Sequence, residues 1–240
     1  MDQLSLKITP RLSYAAENFL LHEGVLKLYE ETIAILTHKN FGVVFIDGSR
    51  RSGKTHLSIL LSHVLSVRGF SPRLIDGNSL SRWILSWRNE KKSGDEILIL
   101  DEAEKYFKNK SAGSSGEFVS LVEEMRKECK GIVLLSGISL HAFPCDDHIR
   151  SRILPGVGYS ILAPGEEDVR GIIKQMALQR GLKLTERKLG YLSKRLPRDI
   201  FSIEDYLDRL LKITTVTNSK ADFVTMGDAL IDLEPDVVNR

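Results

Sequence analysis

Cysteine and long apolar runs are scarce in this sequence of 240 residues, and each shortage excludes a class of protein. The two cysteines, Cys129 and Cys145, stand in no ligand-like spacing, so we expect neither a disulfide framework nor a zinc site. The six histidines show no metal-binding spacing. No apolar run is long enough to cross a bilayer, and the first residues lack the apolar core of a signal peptide. The sequence therefore predicts a cytoplasmic protein without membrane contacts.

An excess of charge of one sign is also missing. The chain has 34 lysines and arginines against 32 acidic residues, which gives a net charge of +2. This charge is too small to indicate nucleic-acid binding by itself. A hydrophobic content of 42% with 28% charged residues is ordinary for a globular protein. The length fits one large domain or two small ones.

Short apolar runs alternate with helical patterns through most of the chain. The runs that we interpret as buried strands lie at residues 41–46, 72–76, 96–101, 131–136 and 158–162. A helix is predicted within residues 14–36, and helical or irregular crossovers at 54–67, 79–88, 117–129 and 139–152. This alternation predicts an α/β fold with a parallel five-stranded sheet.

Beyond Pro164 the strand signals stop. Amphipathic helical patterns follow at residues 166–180, 185–195, 199–213 and 222–232. We therefore place a domain boundary near residue 164, with one domain at 14–164 and an all-α domain at 165–240. Residues 1–13 are polar and contain Pro10, which is typical of a flexible arm. Within the arm, residues 3–8 alternate apolar and polar side chains, as an extended peptide does when it docks in a pocket.

One complete phosphate-binding motif follows the first predicted strand. Residues 48–55 read GSRRSGKT, which satisfies G-x-x-x-x-G-K-[ST] between a strand and a helix. Gly48 and Gly53 let the backbone turn its N–H groups towards phosphates, and the helix N-terminus adds further N–H groups. Lys54 is expected to reach the β- and γ-phosphates, and the Thr55 hydroxyl to ligate Mg²⁺. The residues expected to contact the nucleotide in this segment are Gly48, Ser52, Gly53, Lys54, Thr55 and His56.

A second nucleotide element ends the third predicted strand. Residues 97–102 read ILILDE and deliver two carboxylates at the carboxyl end of a strand, where ligands bind in open α/β sheets. Asp101 is expected to hold Mg²⁺, directly or through water, and Glu102 to orient or deprotonate the attacking water. The pattern alone is common where a strand runs into a solvated turn. The complete phosphate loop upstream favours the functional interpretation.

Cationic residues cluster just before the fifth predicted strand, at residues 147–152 (DHIRSR). An arginine here could stabilise transition-state charge on the γ-phosphate of a neighbouring subunit. The alternative is a pair of surface arginines with no such role.

Together these motifs resemble the AAA+ class of P-loop ATPases, and within it the DnaA branch. Residues 149–153 (IRSRI) are similar to the L-x-S-R-[FL] element of that branch, whose last arginine acts in trans, and this places the arginine finger at Arg152. Residues 14–20 (YAAENFL) are similar to the segment that contacts adenine, which implies contacts from Phe19 and Leu20. The resemblance extends from about residue 14 to residue 233. It implies an AAA+ core followed by a small all-α lid.

Within the DnaA branch the chain is most similar to the Hda family of regulators. Residues 3–6 (QLSL) look like the Hda motif that docks on the DNA polymerase sliding clamp, which implies clamp contacts from Gln3, Leu4 and Leu6. The chain is also expected to end after the lid, without the helix-turn-helix domain that follows it in DnaA. The implied role is to reach DNA indirectly through the clamp and to promote hydrolysis of DnaA-bound ATP, with Arg152 inserted into the DnaA site.

Two positions depart from the pattern of this branch. After the fourth strand, Ile138 occupies the position that usually holds a polar residue, and Ser136 or Ser139 would have to substitute for it. In the lid, Phe201 stands where an arginine normally contacts the γ-phosphate, with Arg198 one turn earlier as a stand-in. These departures argue against efficient ATP hydrolysis by the chain itself. Binding of ADP or ATP with Mg²⁺ is still expected, and homo-oligomerisation is left open.

Two other functions compete with this interpretation. One is a helicase loader of the DnaC/IstB type or a stand-alone DNA-dependent ATPase, which would need homo-oligomers, ATP turnover and single-strand binding. The near-neutral charge and the departures in the lid and after the fourth strand count against it. The other is a nucleotide-stabilised scaffold without catalytic consequence.

Overall fold

The computed structural model describes residues 15–38, 40–89, 96–108, 116–153 and 156–231. The predicted arm, with its clamp-binding residues Gln3, Leu4 and Leu6, lies outside these ranges. The chain divides into two compact units, one at Ala15–Pro164 and one that begins at Gly165. In the described ranges, no helix has both the length and the apolar character needed to cross a membrane.

The first unit contains all the strands of the described chain. The strands are Gly42–Asp47 (β1), Ser71–Asp76 (β2), Glu96–Asp101 (β3), Gly131–Ser136 (β4) and Val157–Ser160 (β5). The α-helices of this unit are Glu23–Thr37 (α1), Lys54–Val67 (α2), Leu80–Asn89 (α3), Ala103–Lys108 (α4), Gly116–Lys127 (α5) and Asp147–Ile153 (α6). Short 3₁₀ turns lie at Ala16–Asn18, Gly77–Ser79 and Leu140–Ala142. The second unit contains Glu166–Gln179 (α7), Glu186–Ser193 (α8), Ile200–Val216 (α9) and Phe223–Ile231 (α10).

The strands form one parallel sheet in the order β2-β3-β4-β1-β5, which confirms the predicted five-stranded parallel sheet. Asp47 at the end of β1 lies opposite Ser136 at the end of β4. On the other side of β4, Asp76 at the end of β2 lies opposite Asp101 at the end of β3. The polar ends of four neighbouring strands therefore meet at one edge of the sheet.

Helices cover both faces of this sheet, because successive side chains along each central strand point to opposite faces. Val43 and Phe45 of β1 lie in a core cluster with residues of α3, α4 and α5. Val44 and Ile46 lie in a second cluster with residues of α1 and α2. The three central strands are apolar on both faces for this reason, and they hold the strand ends in fixed positions.

One detail of the predicted elements is wrong. The prediction that all five runs are buried strands fails for β2 and β5, which are the edge strands and are largely half-buried or exposed. An apolar run indicates a strand but not its place in the sheet. The helix predicted within residues 14–36, after the apolar residues 19–21, is confirmed as α1, and a 3₁₀ turn precedes it.

A hydrogen bond between side chains fastens the edge strand β5 to α1. The Tyr159 hydroxyl donates to the Glu31 carboxylate at 2.5 Å. Burial, together with the bonded carboxylate, raises the pKa of Tyr159 to about 12. The neutral phenol is therefore the form that the folded chain prefers.

This bond predicts a loss of stability in alkali. Because the folded chain holds the Tyr159 proton more tightly than the unfolded chain does, the contribution is complete below pH ~10 and is lost as the pH rises through about 12. We expect Tyr159→Phe to lower the free energy of unfolding by about 1 kcal/mol at neutral pH. The difference between the two proteins should shrink above pH ~10 in urea unfolding measured by circular dichroism. A difference that does not change with pH would contradict the assignment.

A buried charge cluster lies at the opposite edge of the sheet, where β3 and β4 begin; we call it the Glu96 cluster. The side chain of Lys130 is fully buried, and its Nζ lies 3.3 Å from Glu96 Oε2 and 2.5 Å from Glu128 Oε2. Trp87 Nε1–H donates to the same Glu96 oxygen at 2.7 Å. Arg73 Nε donates to the other Glu96 oxygen at 3.2 Å. The cluster consists of Arg73, Trp87, Glu96, Glu128 and Lys130, and each buried charge in it has an opposite partner.

The second unit has a core and a polar network of its own. The Arg180 side chain is only 2% exposed and donates from Nε to Asp208 at 2.7 Å, with Glu204 3.8 Å from its Nη2. The Tyr206 hydroxyl donates to the Met226 carbonyl at 3.1 Å and joins α9 to α10. The helical bundle is thus tied together by buried polar bonds as well as apolar packing.

Candidate nucleotide site

The phosphate loop connects β1 to α2 at the carboxyl edge of the sheet. Gly48 N–H donates to the Ser136 carbonyl of β4 at 3.2 Å, which anchors the start of the loop. A Cβ on Gly48 would lie 2.5 Å from Ser52 Oγ and 3.1 Å from Ile161 Cβ, so a side chain there would displace the Ser52 hydroxyl. Gly53 precedes α2 with φ +95°, a conformation that L side chains rarely adopt. The backbone conformation therefore requires a glycine at position 53, and a glycine at position 48 leaves room for the Ser52 hydroxyl.

Lys54, the first residue of α2, lies over this loop. Its Nζ donates to the carbonyls of Gly48 at 2.9 Å and Ser49 at 2.7 Å. Burial lowers the pKa of Lys54, while the carboxylates of Glu104 and then Asp101 act in the opposite direction. The ammonium is held between the loop and a set of acidic groups, where it can neutralise phosphate charge.

Asp101, which ends β3, is brought next to Thr55 at the start of α2. Burial raises the pKa of Asp101, although the Thr55 hydroxyl and the Glu102 N–H both donate to its carboxylate. A hydroxyl and a carboxylate are the oxygen ligands that Mg²⁺ takes beside a phosphate. A buried carboxylate of raised pKa also gains from a nearby cation. The residues present therefore fit the predicted Mg²⁺ site, with Thr55 and Asp101 as its protein ligands.

Two buried polar atoms at the site have no hydrogen-bond partner in the described part of the chain. They are Ser52 Oγ in the loop and Glu104 Oε2 at the start of α4. A buried hydroxyl without a partner costs free energy, so such groups in native proteins usually serve a ligand or water. Ser52 Oγ can donate to a phosphate oxygen, which agrees with its predicted role.

Glu104 is the acidic group that the sequence interpretation missed. Its Oε1 lies 3.1 Å from the position that a Cβ on Gly137 would occupy, directly after β4. Among the carboxylates that raise the pKa of Lys54, Glu104 has the largest effect. No local sequence pattern indicates it, because its position depends on its contact with the turn after β4.

Glu102 lies in a strained turn between β3 and α4. Its φ of +50° is uncommon for a residue with a side chain and is found most often at functional sites. Its carboxylate pairs with Lys105 Nζ on the next turn of the chain. The structure brings Glu102 close enough to act on the Lys54 charge, and its role in activating water stays a prediction.

The predicted adenine segment packs against the phosphate helix. His56 Nε2 donates to the Ala15 carbonyl at 2.8 Å, and the edge of the Phe19 ring meets the His56 ring with centroids 5.1 Å apart. Phe19 also lies beside Gly53, within 3.7 Å of a Cβ placed there. Phe19, His56 and Gly53 are thus brought together, with Leu20 half-buried next to them.

The residues that would substitute at the two positions departing from the DnaA-branch pattern are Ser136 or Ser139 after β4 and Arg198 in the second unit. The Ser136 hydroxyl accepts from Ile138 N–H at 2.9 Å and is fully buried, while Ser139 is exposed. In the second unit, Arg198 Nη2 lies 2.9 Å from Glu166 in an exposed ion pair. Phe201 is 47% exposed one position into α9. Ser136 and Arg198 therefore both have partners within their own unit.

Of the two arginines of α6, the structure describes the side chain of Arg150. Arg150 donates to the carbonyls of His141 and Phe143 at 3.3 and 3.4 Å, which holds the preceding loop on the helix. Arg152 lies in the same helix, and its side chain falls outside the described part of the structure. The trans role of Arg152 stays a prediction.

Comparison with known proteins was made by sequence and by structure. No family model matches the chain. The chromosomal replication initiator protein DnaA of Caldanaerobacter subterraneus subsp. tengcongensis is 24% identical over 207 residues. That match covers 81% of this chain and 46% of the relative, so the chain spans less than half the length of the protein it matches.

Among solved structures, domain III of the Thermotoga maritima replication initiation protein DnaA is similar with a TM-score of 0.74 at 20% identity. The similarity covers 94% of this chain and 99% of that domain. AMPPCP-bound DnaA from Aquifex aeolicus has a TM-score of 0.66 at 20% identity, with 86% of this chain and 67% of that one covered. At these identities the likeness establishes the fold, which is the AAA+ P-loop fold of a DnaA domain.

Proposed function

From this DnaA-like AAA+ fold, we propose that the chain is a DnaA-related regulator of replication initiation that binds ADP or ATP with Mg²⁺. The observation that carries the proposal is the meeting of Lys54, Thr55 and Asp101 at the carboxyl edge of the sheet. A solved DnaA relative is bound to AMPPCP, which supports an adenine nucleotide as the ligand. The remaining nucleotide contacts are assigned to Phe19, Leu20, Gly48, Ser52, Gly53, His56 and Arg198.

The domain roles follow from the same proposal. Residues 14–164 would hold the nucleotide, and residues 165–240 would form the helical lid. Residues 1–13 would form an arm that binds the sliding clamp through Gln3, Leu4 and Leu6. The support for the arm is the QLSL motif at residues 3–6 of the sequence.

The proposed action on DnaA depends on Arg152. Arg150 is already engaged with two backbone carbonyls, which leaves Arg152 as the arginine of α6 assigned to a partner's nucleotide. A guanidinium inserted beside a γ-phosphate stabilises the charge that develops during hydrolysis. Glu102 is the residue assigned to activate water in the chain's own site.

Slow turnover by the chain itself is part of the proposal. The Ser136 hydroxyl is occupied by a backbone N–H, and Arg198 is paired with Glu166. Arg198 would have to leave Glu166 before it could contact a γ-phosphate, whereas the Ser136 O–H can still donate while its oxygen accepts. A regulator whose nucleotide stabilises its conformation fits these contacts better than a motor does.

The experiment that tests the role is hydrolysis of DnaA-bound ATP in the presence of clamp-loaded DNA. Arg152→Ala should keep clamp binding and lose stimulation by about 10³-fold, the range reported for removal of arginine fingers. Gln3→Ala with Leu6→Ala should abolish clamp binding in a pull-down and with it the stimulation. Ser5→Ala with Lys7→Ala, at the alternate positions of the arm, is the matched control and should bind the clamp normally.

Two results would overturn the regulatory role. The first is clamp binding that the Gln3 and Leu6 substitutions leave unchanged. The second is vigorous ATP turnover by the isolated chain that single-stranded DNA stimulates, which would favour a helicase loader or a DNA-dependent ATPase.

A further inference from the structure

The lid helices carry a stack of aromatic and cationic side chains that the nucleotide site does not use. Tyr191 of α8 and Phe223 of α10 meet edge to face, with ring centroids 5.4 Å apart and an interplanar angle of 75°. The guanidinium carbon of Arg195 lies 3.8 Å from the Tyr191 centroid, and that of Arg187 lies 5.3 Å from the Phe223 centroid. We call this region the Tyr191–Phe223 surface; it comprises Arg187, Lys188, Tyr191, Lys194, Arg195 and Phe223.

The surface carries more positive than negative charge. Arg187, Lys194 and Arg195 are exposed, and in the described ranges none of these three, nor Lys188, has a carboxylate within 4 Å. The nearest acidic residues on the same elements have other partners. Glu186 pairs with Arg170 and Lys174 at 2.5 and 3.2 Å.

Asp222 is an acidic group that lies near one cation of the surface, Lys188. Its carboxylate accepts from the N–H of Thr225 at 2.9 Å and from the Thr225 hydroxyl at 3.0 Å. The pKa of the Asp222 carboxyl is lowered mainly by its hydrogen bonds from Thr225. The charge of Lys188 has the smallest effect on it, so the attraction between the two residues is weak. Arg195 Nη1 donates to the Tyr191 carbonyl at 3.3 Å, and this bond leaves its charge, like those of Arg187 and Lys194, without a carboxylate partner in the described ranges.

The lid does not need these side chains for its core. Leu189 and Leu192 are the residues of α8 that are fully buried, and they supply its packing against the other helices. Arg187 and Tyr191 are four positions apart on α8 and lie on the side away from these leucines, and Lys194 and Arg195 follow directly after the helix ends. The exposed cations Arg187, Lys194 and Arg195 contribute little to folding stability, which directs attention to a ligand.

We propose that the Tyr191–Phe223 surface binds single-stranded DNA directly. Cations spaced along a helix neutralise phosphates, while aromatic rings and guanidinium planes provide flat faces on which unpaired bases stack. A duplex hides its base faces, and an acidic peptide has no bases to stack. The alternation of rings and guanidinium groups therefore favours single strands over both, and the choice of DNA over RNA rests on the proposed role in replication.

The test is fluorescence anisotropy of labelled oligo(dT), about 25 nucleotides long, titrated with the full chain at several salt concentrations. Arg187→Ala with Arg195→Ala should weaken binding at least tenfold. The slope of log K against log salt should become shallower by about 1.4, because two phosphate contacts are lost. Lys183→Ala with Lys212→Ala removes the same charge from exposed lid positions elsewhere and should change binding less than threefold.

A second variant separates base stacking from charge. Tyr191→Leu keeps all four cations and removes the ring, so it should weaken binding several-fold while the salt slope stays the same. Circular dichroism and urea unfolding of each variant should show that the lid remains folded. Lys54→Ala should bind oligo(dT) normally, which separates this proposal from the nucleotide site.

Four results would overturn the proposal. Equal losses in the two double variants would mean that only net charge matters. Tighter binding of duplex DNA or of oligo(rU) would contradict the choice of single-stranded DNA. Competition by poly-glutamate as strong as that by unlabelled oligo(dT) would assign the surface to an acidic protein partner. Retention of affinity by Tyr191→Leu would exclude stacking.

Discussion

Lys54→Ala is expected to abolish nucleotide binding while the chain stays folded. The ammonium already lies over the loop and donates to two of its carbonyls, so it is positioned to reach phosphate oxygens without a change of helix. A hydrogen bond between charged groups contributes about 1.5–3 kcal/mol, and Lys54 is assigned two phosphates. The affinity for ADP or ATP should therefore fall by about 10²-fold or more, as measured by isothermal titration calorimetry with Mg²⁺ present.

The matched control for this prediction is Lys105→Ala. Lys105 lies near the same acidic residues, but it pairs with Glu102 and is 40% exposed. Its removal should change nucleotide affinity less than threefold. An affinity within threefold of the parent for Lys54→Ala itself would mean that the loop does not bind phosphate in the proposed way, and the nucleotide site would have to be abandoned.

The second large effect is expected on stability, at the Glu96 cluster. Lys130→Met should lower the free energy of unfolding by about 3 kcal/mol, because it leaves the buried Glu96 carboxylate with the half-exposed Arg73 as its remaining cation. The side chains of Lys130 and Glu96 are 0% and 4% exposed, so water cannot replace the lost partner. Urea unfolding followed by tryptophan fluorescence is a suitable measurement, since Trp87 donates to Glu96 and stacks on Trp83.

Two comparisons make this prediction specific. Lys27→Met removes a lysine that is 84% exposed and 3.8 Å from Glu31, and it should cost less than about 0.5 kcal/mol. Adding Glu96→Gln to Lys130→Met removes the buried charge that has lost its buried partner and keeps an acceptor for Trp87 and Arg73, so the double variant should be more stable than Lys130→Met alone. A cost for Lys130→Met no larger than that for Lys27→Met would contradict the proposed pairing.

The nucleotide site could be predicted largely from contiguous residues. The phosphate loop and the acidic end of β3 are local patterns, and a parallel sheet brings the carboxyl ends of its strands together. The pairing of Thr55 with Asp101 follows from those two facts alone. The sequence pattern also predicted the strands closely, because central strands that are covered on both faces are apolar throughout.

Other features depend on contacts between distant residues, which periodicity does not report. Glu96 and Lys130 are 34 positions apart, and each alone resembles an ordinary surface charge. The exposure of β2 depends on its place at the sheet edge, which is a property of the strand order. The place of Glu104 in the site depends on its contact with the turn after β4, which is far from it in the sequence.

The hydrogen bond from His56 to the Ala15 carbonyl has a consequence for which ligands the site would select. His56 directly follows Thr55 on α2. The segment assigned to the base is therefore bonded to the helix assigned to the phosphates. The distance between the two parts is therefore fixed, and it suits a ligand that contacts both parts at once. Adenosine would contact only the base segment and polyphosphate only the phosphate loop. Neither would gain affinity from the fixed distance between the two.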